Sequence, residues 1–132
     1  MRVWLVLLVL SLALAGCGDK KDTGVGGEPF KTPSQEDGAY IITVTSSNEL
    51  EPRNAKVPSG AIVEWRIENT GCYVKSEDGT IDSSNSPAVN RQQYNNGNIP
   101  QGVQWRWDSS GHDGEHTYRC SGKDIHGSLR VG

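Results

Sequence analysis

The chain has no long apolar run. Its one sustained stretch, Val3 to Leu14, is interrupted only by Ser11 and spans about a dozen residues, where a membrane-crossing helix needs roughly 20. It also has no cluster of lysine and arginine. The 13 basic and 16 acidic side chains are dispersed and leave a formal charge of −3. No patch stands ready to neutralise phosphates, so nucleic acid is excluded as a partner, and the mild negative charge bears mainly on solubility. No window beyond the N-terminal stretch repeats its apolar residues at helical spacing, which argues against helical and mixed folds. Carboxylates are scattered without pairing and no phosphate-cradling glycine loop occurs, so the usual supports of an enzyme are missing. What the chain does have is three cysteines, Cys17, Cys72 and Cys120, and three histidines, His112, His116 and His126, that bracket the last cysteine.

The N-terminus reads as a targeting segment. Met1 and Arg2 give a short positive start, the apolar run follows, and Leu14, Ala15, Gly16 and Cys17 close it. This is the form of a secretory signal, to be excluded from fold reasoning. Its last four residues resemble the lipobox of bacterial lipoproteins, which implies cleavage after residue 16, lipid on Cys17 and membrane attachment through that lipid. Export places Cys72 and Cys120 in an oxidising compartment. The expected localisation is the cell envelope, with the domain in the periplasm or extracellular space. Residues 17–38 are rich in Gly, Pro, Asp, Glu and Lys, with Val25 and Phe30 the only large apolar side chains. So little apolar surface does not offset the entropy of ordering, and a flexible tether is expected.

From Ala39 the pattern is one of strands and turns. Tyr40, Ile42 and Val44 alternate with Ile41, Thr43 and Thr45. Val63, Trp65 and Ile67 share one face while Glu64, Arg66 and Glu68 share the other, which predicts a half-buried strand. Cys72 to Val74 begins another, followed by the polar turn Ser76 to Gly79. Asp82 to Gly102 keeps no alternation and is expected to be a long excursion with Tyr94 as an anchor. Val103, Trp105 and Trp107 form a further strand, then His116, Tyr118 and Cys120 share a face, and Ser128 to Val131 closes the chain. About seven or eight short strands over residues 39–132 predict an all-β sandwich. In so small a domain Trp65, Trp105, Trp107 and one covalent or metal staple would supply much of the stability.

Three stretches taken in order resemble the cupredoxins, the plastocyanin, amicyanin and halocyanin group of small blue-copper electron carriers. VPSGAIVEW (Val57 to Trp65) is similar to the strand that family enters by a Pro/Gly turn. YVKSEDGTIDS (Tyr73 to Ser83) is similar to the stretch after its first copper histidine, and Gly102 to Cys120 to its final hairpin ending in Tyr-x-Cys. The resemblance implies a Greek-key cupredoxin-like sandwich over 39–132. It also implies a copper site of two histidines, one cysteine thiolate and a distant methionine. Here the first histidine position holds Cys72, the cysteine is kept as Cys120, the second histidine position holds Lys123 and the methionine position holds His126. The sole methionine is Met1, within the signal segment.

The resemblance therefore implies that the copper site is lost. Residues at the two family positions point at one spot, so Cys72 and Cys120 are expected to meet as a disulfide. That bond closes a loop of about 48 residues and stabilises by on the order of 4 kcal/mol. No cofactor is then expected, and the role is binding or structural, with an envelope protein as partner. The alternative keeps a metal for electron transfer or simple binding, with Cys72, Cys120 and His126 as an altered ligand set for copper or, less aptly, zinc. His116 is expected to pack beside the core and His112 to sit in a turn. An immunoglobulin-like domain also carries Tyr-x-Cys, but it needs a tryptophan soon after its first cysteine, and the next one after Cys72 is Trp105. Catalysis by Cys120 with a histidine base would need a free, activated thiol, so no enzyme is expected.

Overall fold

The computed structural model describes residues 22–85, 94–121 and 124–132; the signal segment, Cys17 and Lys123 lie outside the described residues. Among these residues ten strands follow in order: β1 (Gln35–Glu36), β2 (Ala39–Val44), β3 (Leu50–Glu51), β4 (Asn54–Val57), β5 (Ile62–Ile67), β6 (Cys72–Ser76), β7 (Asn98–Ile99), β8 (Gln104–Asp108), β9 (Gly114–Ser121) and β10 (Ile125–Val131). They form two sheets. Sheet 1 runs β1-β2-β5-β8 with β3 paired to β2, and sheet 2 runs β4-β10-β9-β6-β7. The pairs β2–β5 and β4–β10 are parallel; the other pairings are antiparallel. The all-β sandwich is as expected. From Ala39 on there are nine described strands against the seven or eight expected, because β3 and β7 are two residues each, too short to leave a period-two signal; β1, also of two residues, precedes that range. No described helix is long and apolar enough to cross a membrane.

The core follows from the alternation. Ile42, Trp65 and Trp105 stand in register across β2, β5 and β8, beside a row of Tyr40, Val63 and Trp107. Opposite them, sheet 2 contributes Val74, Tyr118, Cys120, Leu129 and Val131, all buried. The Trp65 ring lies 5.5 Å from both Trp105 and Tyr118, edge-on to the tyrosine. Each buried aromatic removes about 150–250 Å² from water, roughly 4–6 kcal/mol as an upper estimate. These rings join the two sheets.

Two expectations are corrected. Glu64 was placed on the solvent side of its strand, yet it is only 1 % exposed. On the outer face of sheet 1 it stands level with Ile41 and Arg106. Its two oxygens accept from Arg66 Nε at 2.6 Å and Arg106 Nε at 2.7 Å, and Arg66 also donates to Glu36 at 2.6 Å. Two guanidinium groups thus lie over the carboxylate and shield it. These bonds also hold the Glu36 carboxyl below its usual range, by hydrogen bond and then by charge, and push the Arg66 guanidinium up.

The second correction moves the boundary of the folded unit from Ala39 to at least Asp22. Residues 22–30 form a hook on the outer face of sheet 2. Asn54 Oδ1 accepts from the Val25 amide at 2.9 Å, and Asn54 Nδ2 donates to the carbonyls of Val25 and Glu28 at 2.9 and 3.1 Å. The ring of Phe30 is buried beneath the Arg130 guanidinium, 4.0 Å away. Lys31 then bridges Ala55 at the edge of β4. At Gly24 a Cβ would sit 2.5 Å from Asn54 Oδ1 and 2.9 Å from Phe30 Cζ, so the close approach requires glycine there. Composition suggested a free tether; one buried asparagine about thirty residues further along holds it instead.

Of the Asp82 to Gly102 excursion, residues 86–93 lie outside the described residues. Tyr94 beyond them is buried, and its hydroxyl donates to the Gln104 carbonyl at 3.3 Å.

Candidate functional site

Adjacent strands β6 and β9 place Val74 opposite Cys120 and Tyr73 opposite Ser121. Cys72 is therefore a diagonal neighbour of Cys120 on the inner face of sheet 2. The two side chains are joined as a disulfide with Cα atoms 5.1 Å apart, inside the range such a bond requires. Both cysteines are buried. Their cross-strand partners are Ile99 for Cys72 and Ile125 for Cys120, also buried, so the sulfurs lie in hydrocarbon. A closed disulfide in that setting presents no thiolate to a metal or a substrate.

His126 does not join the sulfurs. Ile125 pairs with Cys120 and His126 with Arg119; alternation along β10 therefore sends His126 to the outer face while Cys120 points in. There it borders an open groove of about 380 Å³ with Glu28, Glu49, Glu51, Arg53 and Asp124, and its Nδ1 stands 3.6 Å from Asp124 Oδ1. Cys72, Cys120 and His126 consequently do not form a ligand set. Among the described residues no three His, Cys, Asp or Glu side chains converge on a point that could hold a metal ion.

The other two histidines have structural partners. His116 is buried where β9 begins, with Nδ1 2.8 Å from Asp78 Oδ2 and Nε2 donating to the His112 carbonyl at 2.8 Å. The His112 ring stacks on Trp107 at 5.6 Å, and Trp107 Nε1 donates to the Thr80 carbonyl at 3.2 Å. This cluster ties the turn after β6 to the turn between β8 and β9. Partial burial pulls the Asp78 carboxyl up, but hydrogen bonds from the Ser76 hydroxyl, the Thr80 amide and His116 outweigh it and hold the group well below its ordinary range. Asp82 is lowered in the same way, burial being outweighed by Ser84, Tyr73 and the Lys75 charge. Tyr118 is the opposite case. Burial pushes its hydroxyl well up, against a smaller opposing pull from the neighbouring Trp65 side chain, and neither that oxygen nor the indole nitrogens of Trp65 and Trp105 has a partner at hydrogen-bond geometry among the described residues.

Neither Asn54 nor Asp78 stood out in the sequence. Asp78 carried a usable signal, since Ser76, Asp78 and Thr80 alternate around a glycine turn as carboxylate-capped turns do. Asn54 carried none, because its partners are remote in sequence.

No protein-family profile matches the chain, and no curated protein sequence matches it. Solved structures do match. A purple cupredoxin from Nitrosopumilus maritimus aligns at TM-score 0.51 and 17 % identity, covering 70 % of this chain and 98 % of that one. A reduced Cu(I) form of an amicyanin variant aligns at TM-score 0.54 and 14 % identity over 75 % of this chain and 87 % of its own. A copper-containing nitrite reductase from Thermus scotoductus aligns at TM-score 0.52 and 18 % identity; 84 % of this chain corresponds to 25 % of the enzyme. With two facing mixed sheets and the Cys72–Cys120 pair at their core, the chain is a cupredoxin-like β-sandwich.

Proposed function

We propose that the protein is a lipid-anchored cupredoxin-fold module of the cell envelope, held to a bacterial membrane through Cys17, that serves a binding or structural role with an envelope protein as partner and is not an electron carrier. The observation that supports this is the Cys72–Cys120 disulfide, closed and buried. It consumes the one thiolate that type 1 copper needs, and His126 faces the other side of β10. What is left of the site is a covalent staple between β6 and β9.

The test is a thiol count and a metal count on one preparation of the mature protein, unfolded in denaturant without reductant. Absence of free thiol together with absence of copper and zinc is the expected result. Two free thiols with about one metal ion per chain would establish the electron-transfer or metal-binding alternative, and His126→Ala would then report whether that histidine is a ligand.

A further inference from the structure

The hook fixes where the chain enters the fold, and that point is close to Cys17. Asp22 accepts from the Phe30 amide through its backbone carbonyl at 3.0 Å, and its carboxylate stands 4.0 Å from Arg130 Nη1 on the outer face of sheet 2. Five peptide units separate Cys17 from Asp22; fully extended they reach about 18 Å, less than the width of a small domain. A lipid on Cys17 would therefore leave the domain little choice of which side it turns to the membrane.

The two outer faces differ in charge. On sheet 1, Arg66 and Arg106 are both tied to Glu64, and Arg66 also to Glu36, so guanidinium and carboxylate balance. On sheet 2, alternation puts Lys56, Lys75 and Arg119 outward, and all three are exposed. None has a carboxylate at ion-pair distance among the described residues, although Asp82 bridges Lys75 and feels its charge; Arg130 on the same face is balanced by Glu115 and Asp22. Lys75 and Arg119 are direct cross-strand partners and border one groove with Ser76, Glu77 and Ser121. The carboxylates Glu49 and Glu51 beside His126 lie away from that pair, on the β3 side.

We infer that the outer face of sheet 2 is a membrane-facing surface, turned by the short leash toward the lipid headgroups and matched by Lys56, Lys75 and Arg119 to anionic ones. This rests on the lipid at Cys17 proposed above. Tethering at this range makes contact effectively intramolecular, so a few exposed cations suffice where free in solution they would not. Attraction of this kind acts within about 8–10 Å of the surface at moderate salt, a distance the leash keeps within reach. The face of sheet 1 then points away from the membrane and is the one left for a protein partner.

The test uses the full lipidated chain in vesicles of phosphatidylcholine with a quarter phosphatidylglycerol, carrying a headgroup-attached fluorescence quencher. A fluorophore is placed at Thr117→Cys on the outer face of sheet 2 or at Gln104→Cys on the outer face of sheet 1, with the native disulfide kept closed. Mass spectrometry first reads the lipid on the purified chain. The expected result is strong quenching at position 117 and only solution-level quenching at 104, with the contrast reduced in pure phosphatidylcholine. Equal quenching at both positions on a chain that does carry lipid overturns the orientation alone. A chain without the acyl mass overturns the anchor and this inference with it. A contrast unchanged in pure phosphatidylcholine removes the role given to the charges and so overturns the match to anionic headgroups.

Discussion

Replacing both sulfurs, as Cys72→Ala with Cys120→Ala, removes the one covalent link between β6 and β9. The cysteines are 48 residues apart, and for a loop of that size the chain-entropy relation gives about 4 kcal/mol at 25 °C. Against a typical domain stability of roughly 5–15 kcal/mol that is a large share, and for a domain of this length it corresponds to a fall in Tm of roughly 15–25 °C. Both cysteines are buried beside Ile99 and Ile125, so the void left by two alanines adds a smaller loss of the same sign. Urea unfolding followed by tryptophan fluorescence, extrapolated linearly for oxidised protein, for reduced protein and for the double variant, measures both contributions. Reduced wild type reports the link without the void. Burial makes a second demand: without denaturant, reduction by a small dithiol must await opening of the structure, so its rate should rise steeply with urea. A double variant within about 1 kcal/mol of the oxidised protein would refute the staple, and urea-independent reduction would refute its burial.

Other perturbations address the rest of the molecule. Asn54→Ala removes three hydrogen bonds to the hook and should cost about 2 kcal/mol; hydrogen exchange should show the Val25 amide losing protection, and an unchanged rate there would count against the latch. Glu64→Gln leaves two guanidinium groups over a neutral side chain. Because those arginines remain 33–37 % exposed, solvent screening limits the loss to about 2 kcal/mol, below the cost for a fully buried pair, and urea titration reads it. Tyr118→Phe removes a buried hydroxyl that has no partner at hydrogen-bond geometry among the described residues, so stability should stay level or rise by up to about 1 kcal/mol; a clear loss would mean that the oxygen is bonded, the Trp65 side chain being its nearest candidate. The Asp78 carboxyl is held below its ordinary value, so its contribution is full above about pH 4 and disappears as pH falls through the lower folded value. Asp78→Asn should flatten the acid limb of a stability-against-pH curve, and an acid limb identical to wild type would refute that assignment.

How much was legible in the sequence varies with how local the cause is. Val63, Trp65 and Ile67 announced their strand and their inward face because alternation is local, and His116, Tyr118 and Cys120 did the same for β9. Alternation says which side a residue faces, not what lies over that side. Glu64 was assigned to water for that reason: what covers it is Arg106 from another strand and Arg66 folded back along its own. The hook was missed on the same ground. The glycines at 24, 26 and 27 look like those of a flexible linker, and only Asn54 and Arg130, far along the chain, make them a turn. The disulfide was reached through the resemblance to a family in which both positions face one metal, since nothing between Cys72 and Cys120 indicates that they meet. His126 was drawn toward the sulfurs by its place in the loop that carries ligands in the family resembled, but one residue along a strand reverses the face.

Strand β10 is the last described in sequence, yet it is not at an edge: it lies between β4 and β9, parallel to the former and antiparallel to the latter. Until residues 125–131 arrive, β4 has neither that neighbour nor the inward row of Leu129 and Val131. A chain emerging N-terminus first would hold sheet 2 in two unjoined parts until β10 has been made. Such wide sequence separation between paired strands slows folding. Sheet 2 should therefore be completed only once β10 is available. A truncation that removes β10 should yield no folded remnant instead of a smaller sandwich.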